Sequence, residues 1–428
     1  MCRLARLALA VVGAIALVAG CQPGSSKVES QKPLLGLDGG DEGDGGDLDG
    51  DIDDARLDGG DTRPDGAFPA DAGGFDTGPD SGVVAGPDAG RPPIGFAFIT
   101  SFILLAEDIA LPSTAVGRKP LAGPTPTIPL ERSGFTHPSV LYLPEGWNGY
   151  PYWMAASPYY GPVGKDDQFE NPHIFRSLDG IHWEEPDGID NPIDLAPDTP
   201  SQSYWSDPHL VLGPEGVLYC FYRGAGPEFG GRSLTFRTST DGVHWSPRRH
   251  AYASGPLASV DYTNKLLSPV VIASGDGWDV FDVVRSSPTA LFIPAQKNQT
   301  NSFVMRRSSP DIESGYGEYD ESQVVGFTNR PWGPHQDPWH LDVRLFAGRW
   351  FMLLSTGPIE QSSGEALWLA VSADGSDFTV IEMPLFISGT YRSALVPIDG
   401  DERAVRLRVY RSQTSDGTID VFELVVIF

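Results

Sequence analysis

From about Ile94 onward the chain consists of short apolar and aromatic runs, such as Tyr152-Trp153-Met154, residues 217–222 and Trp350-Phe351-Met352. Gly, Pro, Asn or Asp separates one run from the next. Runs of this length, rich in aromatic and β-branched residues and bounded by turn formers, predict strands. No long segment places its apolar residues at the spacing of a helix face. The pattern predicts an all-β domain over residues 93–428.

Two local patterns recur inside that region. Ser177-Leu178-Asp179-Gly180-Ile181-His182-Trp183 returns as Ser239-Thr240-Asp241-Gly242-Val243-His244-Trp245, and more weakly as Ser372-Ala373-Asp374-Gly375-Ser376-Asp377-Phe378. The Asp-Gly pair supplies the positive φ of a tight turn, and the aromatic residue that follows can pack on a neighbouring unit. The second pattern is a strand opening: His137-Pro138-Ser139, Asp207-Pro208-His209, Ser268-Pro269-Val270, His340-Leu341-Asp342 and Arg392-Ser393-Ala394. Each opening is followed by a turn and an aromatic or apolar strand. Five such units predict small sheets repeated around an axis, a five-bladed β-propeller. The strand near residues 97–105 is expected to complete the last blade and close the ring.

The first 92 residues read differently. Arg3 and Arg6 precede an apolar run over 7–18, and Val18-Ala19-Gly20-Cys21 follows. This order predicts a signal peptide over 1–20. The run is shorter than the roughly 20 residues that span a bilayer. A cysteine at the cleavage point resembles the lipobox of bacterial lipoproteins. That resemblance implies lipidation of Cys21 and export to a bacterial membrane, at the outer membrane or cell surface. Residues 22–92 are dominated by Asp and Gly, a composition too poor in apolar surface to offset chain entropy, and predict a disordered acidic linker. They show no nonapeptide period of the kind that binds calcium.

The formal net charge is −27. With no basic stripe, nucleic acid is excluded as a partner, because phosphate binding needs Lys and Arg. Of three cysteines, Cys2 leaves with the signal and Cys21 takes lipid. Cys220 stands alone in an apolar run and reads as a small buried hydrophobe. The domain must then be held by its core, without a disulfide, and is expected to be a monomer.

In a propeller the innermost strands line a channel, so their entry ends meet at one mouth. The repeat register therefore gathers His137, Asp207, Ser268, His340 and Arg392, with Glu170, His209 and Asp342 close by. Glycoside cleavage needs one carboxyl that donates a proton and another that activates water or attacks carbon. Asp207 and Asp342, from different blades, are the leading pair, with Glu170, His137 and His340 as further catalytic candidates able to tune them or donate protons. Tyr204, Trp205, His209, Arg223, Trp339 and Arg392 are candidate substrate contacts, the aromatic ones by stacking on sugar rings. The histidines have a second reading as holders of a channel ion.

Ser206-Asp207-Pro208-His209-Leu210 at an inner strand, the Ser-x-Asp-Gly-x-x-Trp hairpins and the number of units together resemble the five-bladed propeller glycosidases, especially glycoside hydrolase family 43. The resemblance covers residues 94–428. It implies a glycoside hydrolase acting on an extracellular or periplasmic poly- or oligosaccharide, inverting if it follows the family, and a structural calcium ion in the channel. In that family a base, an acid and a pKa-tuning Asp act together. Here His137 stands where the family places its base, and Glu170-Asn171-Pro172-His173, which resembles the acid motif, falls in the first unit instead of the third. A non-catalytic glycan-binding propeller is the alternative reading, and a purely structural one is the third. On the first reading, Asp207→Asn abolishes cleavage and leaves the melting temperature near wild type.

Overall fold

The computed structural model describes residues 97–112 and 134–428, apart from 159–169, 196–202, 227–230, 254–261, 265, 275–276, 287–301, 314–322, 334–335, 359–365 and 414–416. The expected signal peptide, Cys21 and the acidic linker lie outside these residues. Those described belong to one unit spanning 82–428.

The apolar runs form strands, and the Gly- and Asp-rich breaks form the turns between them. The N-terminal strand β1 (Phe98–Ala106) comes first. A first sheet holds β2 (Phe135–Trp147), β3 (Tyr150–Pro158), β4 (His173–Ser177) and β5 (Trp183–Glu184) in sequential order. A second holds β6 (Tyr204–Leu212), β7 (Leu218–Gly226), β8 (Gly231–Ser239) and β9 (Arg249–Ala253). In the third, β10 (Tyr262–Asn264) and β11 (Val270–Ser274) share one edge of β12 (Gly277–Ser286), and β13 (Ser302–Ser309) takes the other. The fourth contains β14 (Gly326–Phe327), β15 (Gln336–Phe346), β16 (Arg349–Pro358), β17 (Ala366–Ser372) and β18 (Asp377–Val380), with β14 parallel to β18. The fifth contains β19 (Ala394–Gly400), β20 (Ala404–Ser412) and β21 (Ile419–Ile427), and β1 pairs antiparallel with β21 along its outer edge.

The sheets are the five blades of a propeller. Strands β2, β6, β11, β15 and β19 are innermost, and each touches the next around the ring. Every seam between blades holds one apolar cluster. Phe221 and Phe236 meet Val271 and Trp278 between the second and third blades, and Trp153 and Ile174 meet Trp205 and Leu210 between the first and second. Leu267 and Phe281 meet Leu341 and Trp350 between the third and fourth, and Phe351 and Leu369 meet Leu395 and Leu407 between the fourth and fifth. The last seam packs Phe135 and Met154 against Tyr410 and Ile419. Burial is thus distributed around the ring, and joining β1 to the C-terminal blade closes it. Cys220 is a free, buried cysteine in the first-to-second seam.

The repeated hairpins are built alike. Asp179 Oδ1 accepts the N–H groups of Ile181 and His182, both at 2.8 Å, while Oδ2 lies 2.7 Å from His182 Nδ1. Asp241 makes the same three contacts with Val243 and His244 at the same distances. Asp374 accepts from Ser376 N and Asp377 N. The preceding serine receives the Gly N–H in all three hairpins. Histidines 182 and 244 are therefore turn braces. The turn carbonyls then dock on the preceding blade: Asp179 O accepts from Arg408, Gly180 O from Tyr410, Thr240 O from Asn148 and Asp374 O from Arg306.

Burial works against ionisation of Asp241, but the bonds from His244 and the turn N–H groups outweigh it and hold the carboxyl well below its usual range. A carboxylate with a depressed folded pKa contributes stability that is complete above its unfolded value, about 4, and is lost as the pH falls toward the folded value. Asp241→Asn should accordingly flatten the acid limb of a plot of melting temperature against pH. Asp241→Ala should cost about 1–2 kcal/mol at pH 7, measured by urea unfolding. An unchanged acid limb in the Asn variant would remove the turn carboxylate as its source.

Candidate metal-binding site

The backbone itself singles out the site. At the mouth of the channel, β2 slips register between Thr136 and Ser139, β6 between Ser206 and His209, and β15 between Pro338 and His340. These are bulges, which add a residue to one strand and re-aim its side chains. His137 and Asp207 both sit at φ 53°, a left-handed conformation costly for a residue with a Cβ. The extra residues turn His137, Asp207 and His340 inward, toward one another.

Asp207 is fully buried at the centre. Its Oδ1 lies 3.9 Å from His137 Nε2, 3.5 Å from His340 Nδ1 and 3.5 Å from Arg392 Nη1. Its Oδ2 lies 2.9 Å from Arg223 Nε. Burial alone would raise its pKa, but Arg223, His137, Arg392 and His340 together hold it well below the usual carboxylate range. His137 Nδ1 is 3.4 Å from Glu170 Oε2, and that oxygen accepts a hydrogen bond from Ser206. Burial pushes the His340 imidazole well below its ordinary value, so it is neutral at pH 7 and keeps a lone pair. Among the described residues, Asp207 is the carboxylate paired with both Arg223 and Arg392, which are themselves buried.

These residues suit a metal ion. One ligand atom each from His137, Asp207 and His340 lies within 4.8 Å of the other two. Ligands about 2.1 Å from a tetrahedral ion stand about 3.4 Å apart. The contacts of 3.5 and 3.9 Å to Asp207 Oδ1 are close to that spacing. Both ring nitrogens of His137 and His340 and both oxygens of Asp207 are buried and form no hydrogen bond among the described residues. Buried polar atoms seldom stay unpartnered, and two imidazoles with a carboxylate are a donor set for Zn²⁺ or a similar ion. Glu170, beside His137, can serve as a fourth ligand or as a base.

Several sequence expectations need correction. Asp342 does not face Asp207 as a catalytic partner. Its Oδ2 accepts Leu395 N–H at 2.8 Å and pairs with Arg344 at 3.1 Å, and its Oδ1 accepts Val343 N–H. His209 is fully buried; its Nε2 donates to Val271 O at 2.9 Å and its Nδ1 contacts Ser139 Oγ at 3.1 Å. Both nitrogens are spent, so His209 cannot bind substrate. His340 and Asp342 are two residues apart on β15 and project to the same side, which places Asp342 one step further along the channel. At that level Arg344 donates to Leu395 O and Val140 O. Trp205 belongs to the first-to-second seam, edge-on to Tyr222 and beneath Arg248, and is closed to sugars. The bulge between Ser206 and His209 breaks the alternation, so Trp205 and Asp207 face different ways.

Tyr204 is half-buried with Arg223 over its ring, and Trp339 is half-buried with its ring 5.7 Å from His340. The repeat register alone does not single out Tyr391. Its ring stacks on His137 at 4.8 Å and meets His340 edge-on at 4.5 Å. Its position just before Arg392, at the fifth strand opening, is the available signal. Away from this cluster, a cavity of about 200 Å³ is lined by residues that include Val140, Tyr142, Arg344, Phe346, Val396 and Ile398. Arg344 is the charged group in its wall, already engaged by Asp342 and two carbonyls, so the cavity lacks the groups for hydrolysis.

No protein-family profile matches the chain. Over 270 residues, 56% of its length, it is 32% identical to the A type blood N-acetyl-alpha-D-galactosamine deacetylase of Flavonifractor plautii; it spans 33% of that protein. Among solved structures, an N-acetylgalactosamine deacetylase from F. plautii in complex with blood group B trisaccharide aligns with TM-score 0.57 and 21% identity, covering 76% of this chain and 95% of that one. A thermostable family-43 glycoside hydrolase aligns with TM-score 0.43 and 11% identity, over 68% of this chain and 88% of its own. The chain thus shares its fold with the solved deacetylase, and the proteins it is similar to act on carbohydrates.

Proposed function

We propose that this chain is a metal-dependent carbohydrate hydrolase that removes the acetyl group from an N-acetylated sugar. The observation that carries the reading is the cluster of His137, Asp207 and His340, whose buried ligand atoms form no hydrogen bond among the described residues. The 32% identity to a sugar N-deacetylase supports the same chemistry.

A divalent ion at such a site polarises an acyl carbonyl and lowers the pKa of water to about 7. The imidazoles of His137 and His340 and Oδ1 of Asp207 would hold it, while Arg223 keeps Asp207 ionised and oriented. Glu170, held by Ser206, takes a proton from the attacking water. The water oxygen bonds to the acyl carbon, the C–N bond breaks, and the leaving nitrogen receives the proton. The products are a carboxylate and an amino sugar. Tyr204 and Trp339 are placed to wall the sugar.

Glycoside hydrolysis is the second reading, favoured by the two carboxylates on either side of His137, Glu170 and Asp207. The engagement of Asp207 by two guanidiniums weakens it, since a tightly paired carboxylate is a poor proton donor or nucleophile. Products separate the readings. An N-acetyl-α-D-galactosaminide incubated with the protein should release acetate without new reducing ends. EDTA should reduce the rate at least ~100-fold, and added Zn²⁺ should restore it. Reducing ends formed in EDTA would establish the glycosidase instead, and binding without either product would make the propeller a glycan-binding protein.

A further inference from the structure

Resting on the deacetylase reading, we propose that Arg223 is a second electrophilic group of the reaction. Its guanidinium receives the acyl oxygen as charge develops there, and afterwards binds the released carboxylate.

Arg223 lies on β7 directly opposite Ser206, beside the bulge that turns Asp207 inward. It approaches Asp207 Oδ2 through Nε at 2.9 Å, yet this ion pair lacks the alignment of a hydrogen bond. Among the described residues the guanidinium makes no other hydrogen bond or ion pair, so its N–H donors are unspent although only 7% of the residue is exposed. Asp207 then has two distinct sides: Oδ1 faces both imidazoles, and Oδ2 faces Arg223. A carbonyl oxygen brought to the cluster arrives beside the guanidinium. Tyr204, 5.8 Å from the Arg223 carbon, supplies an aromatic wall on that side.

Arg392 differs. It is 1% exposed, and its Nη2 donates to Pro269 O. Arg392 is a second buried counter-charge on Asp207 and stays in place when the free donors of Arg223 turn to a ligand. A guanidinium cannot give up its proton and presents a planar fork that matches a carboxylate. A donor that meets charge formed in the transition state is worth about 10²–10³ in kcat.

The test uses the whole chain saturated with Zn²⁺. Zinc affinity and acetate affinity are measured separately by titration calorimetry, for wild type, Arg223→Gln and Arg223→Lys. The Gln variant should bind Zn²⁺ within about threefold of wild type, bind acetate at least ~10-fold more weakly, and lose ~100-fold in kcat with little change in KM. Lys should recover part of both losses. Unchanged acetate affinity and kcat in Gln would overturn the proposal. Should that variant fold poorly, wild type decides alone: acetate must bind more tightly than the neutral isostere acetamide, and equal affinities would overturn it. Failure of wild type to bind Zn²⁺ overturns the metal reading, while the acetate comparison still judges Arg223.

Discussion

Asp207→Asn is expected to eliminate acetyl release, weaken Zn²⁺ binding and lower the stability of the domain by about 3–5 kcal/mol. Asp207 is fully buried and faces Arg223 and Arg392. Asparagine keeps the shape but removes the negative charge, leaving two guanidiniums in the interior uncompensated. The folded pKa of Asp207 is held low, so at pH 7 the ionised form stabilises the native state, and protonating or amidating it forfeits that contribution. For a domain of this size the melting temperature should fall by roughly 5 °C. This reverses the expectation from sequence that the substitution would spare the fold. The activity loss should be ~10³-fold or more, since a metal site supplies several kcal/mol of transition-state stabilisation. His340→Gln separates the two effects, because it removes a neutral ligand without stranding a charge. It should lose similar activity with a much smaller drop in melting temperature. Calorimetric unfolding of the two variants checks this, and equal stability for Asp207→Asn and wild type would refute the ion-pair account.

Gly242→Ala should destabilise the propeller by about 2–5 kcal/mol, through two additive causes. The residue has φ +78°, where a Cβ is strained, and that Cβ would stand 2.3 Å from two ring carbons of Trp153. Trp153 is wedged into the first-to-second seam and has nowhere to go. The turn would have to lift off the first blade, breaking the bond from Asn148 to Thr240 O. Gly149 is the matched control: its φ is +85°, but a Cβ there would meet nothing within 4 Å. Gly149→Ala should cost only about 1 kcal/mol. Urea unfolding of both variants measures the difference, and equal losses would show that backbone strain alone governs Gly242.

The local chemistry of the hairpins was legible in the sequence. A Ser-x-Asp-Gly pattern carries its own hydrogen bonds within seven residues, and the Asp179 and Asp241 turns formed with matching distances. The number of blades was legible for the same reason, because each strand opening recurs with a short apolar strand behind it. The closing strand, β1, was expected to complete the last blade, and it pairs with β21 there.

The candidate site was legible in part. Counting from the strand openings found His137, Asp207, His340 and Arg392, because equivalent positions in repeated blades must converge on the axis. Counting could not resolve depth or facing. His340 and Asp342 share one side of β15 and look equivalent in the sequence, yet one meets Asp207 and the other is spent on Arg344 and Leu395. Trp205 and Asp207 have the same parity, but the bulge at Asp207 separates them, sending one into a seam and the other into the channel. By itself the sequence determined the strands, their turns, the fivefold repetition and the residues available at the channel mouth, since these depend on neighbours in the chain. Only the tertiary structure decided which of those residues meet. That depends on left-handed bulges and on charges supplied by distant blades, and no periodic pattern encodes either.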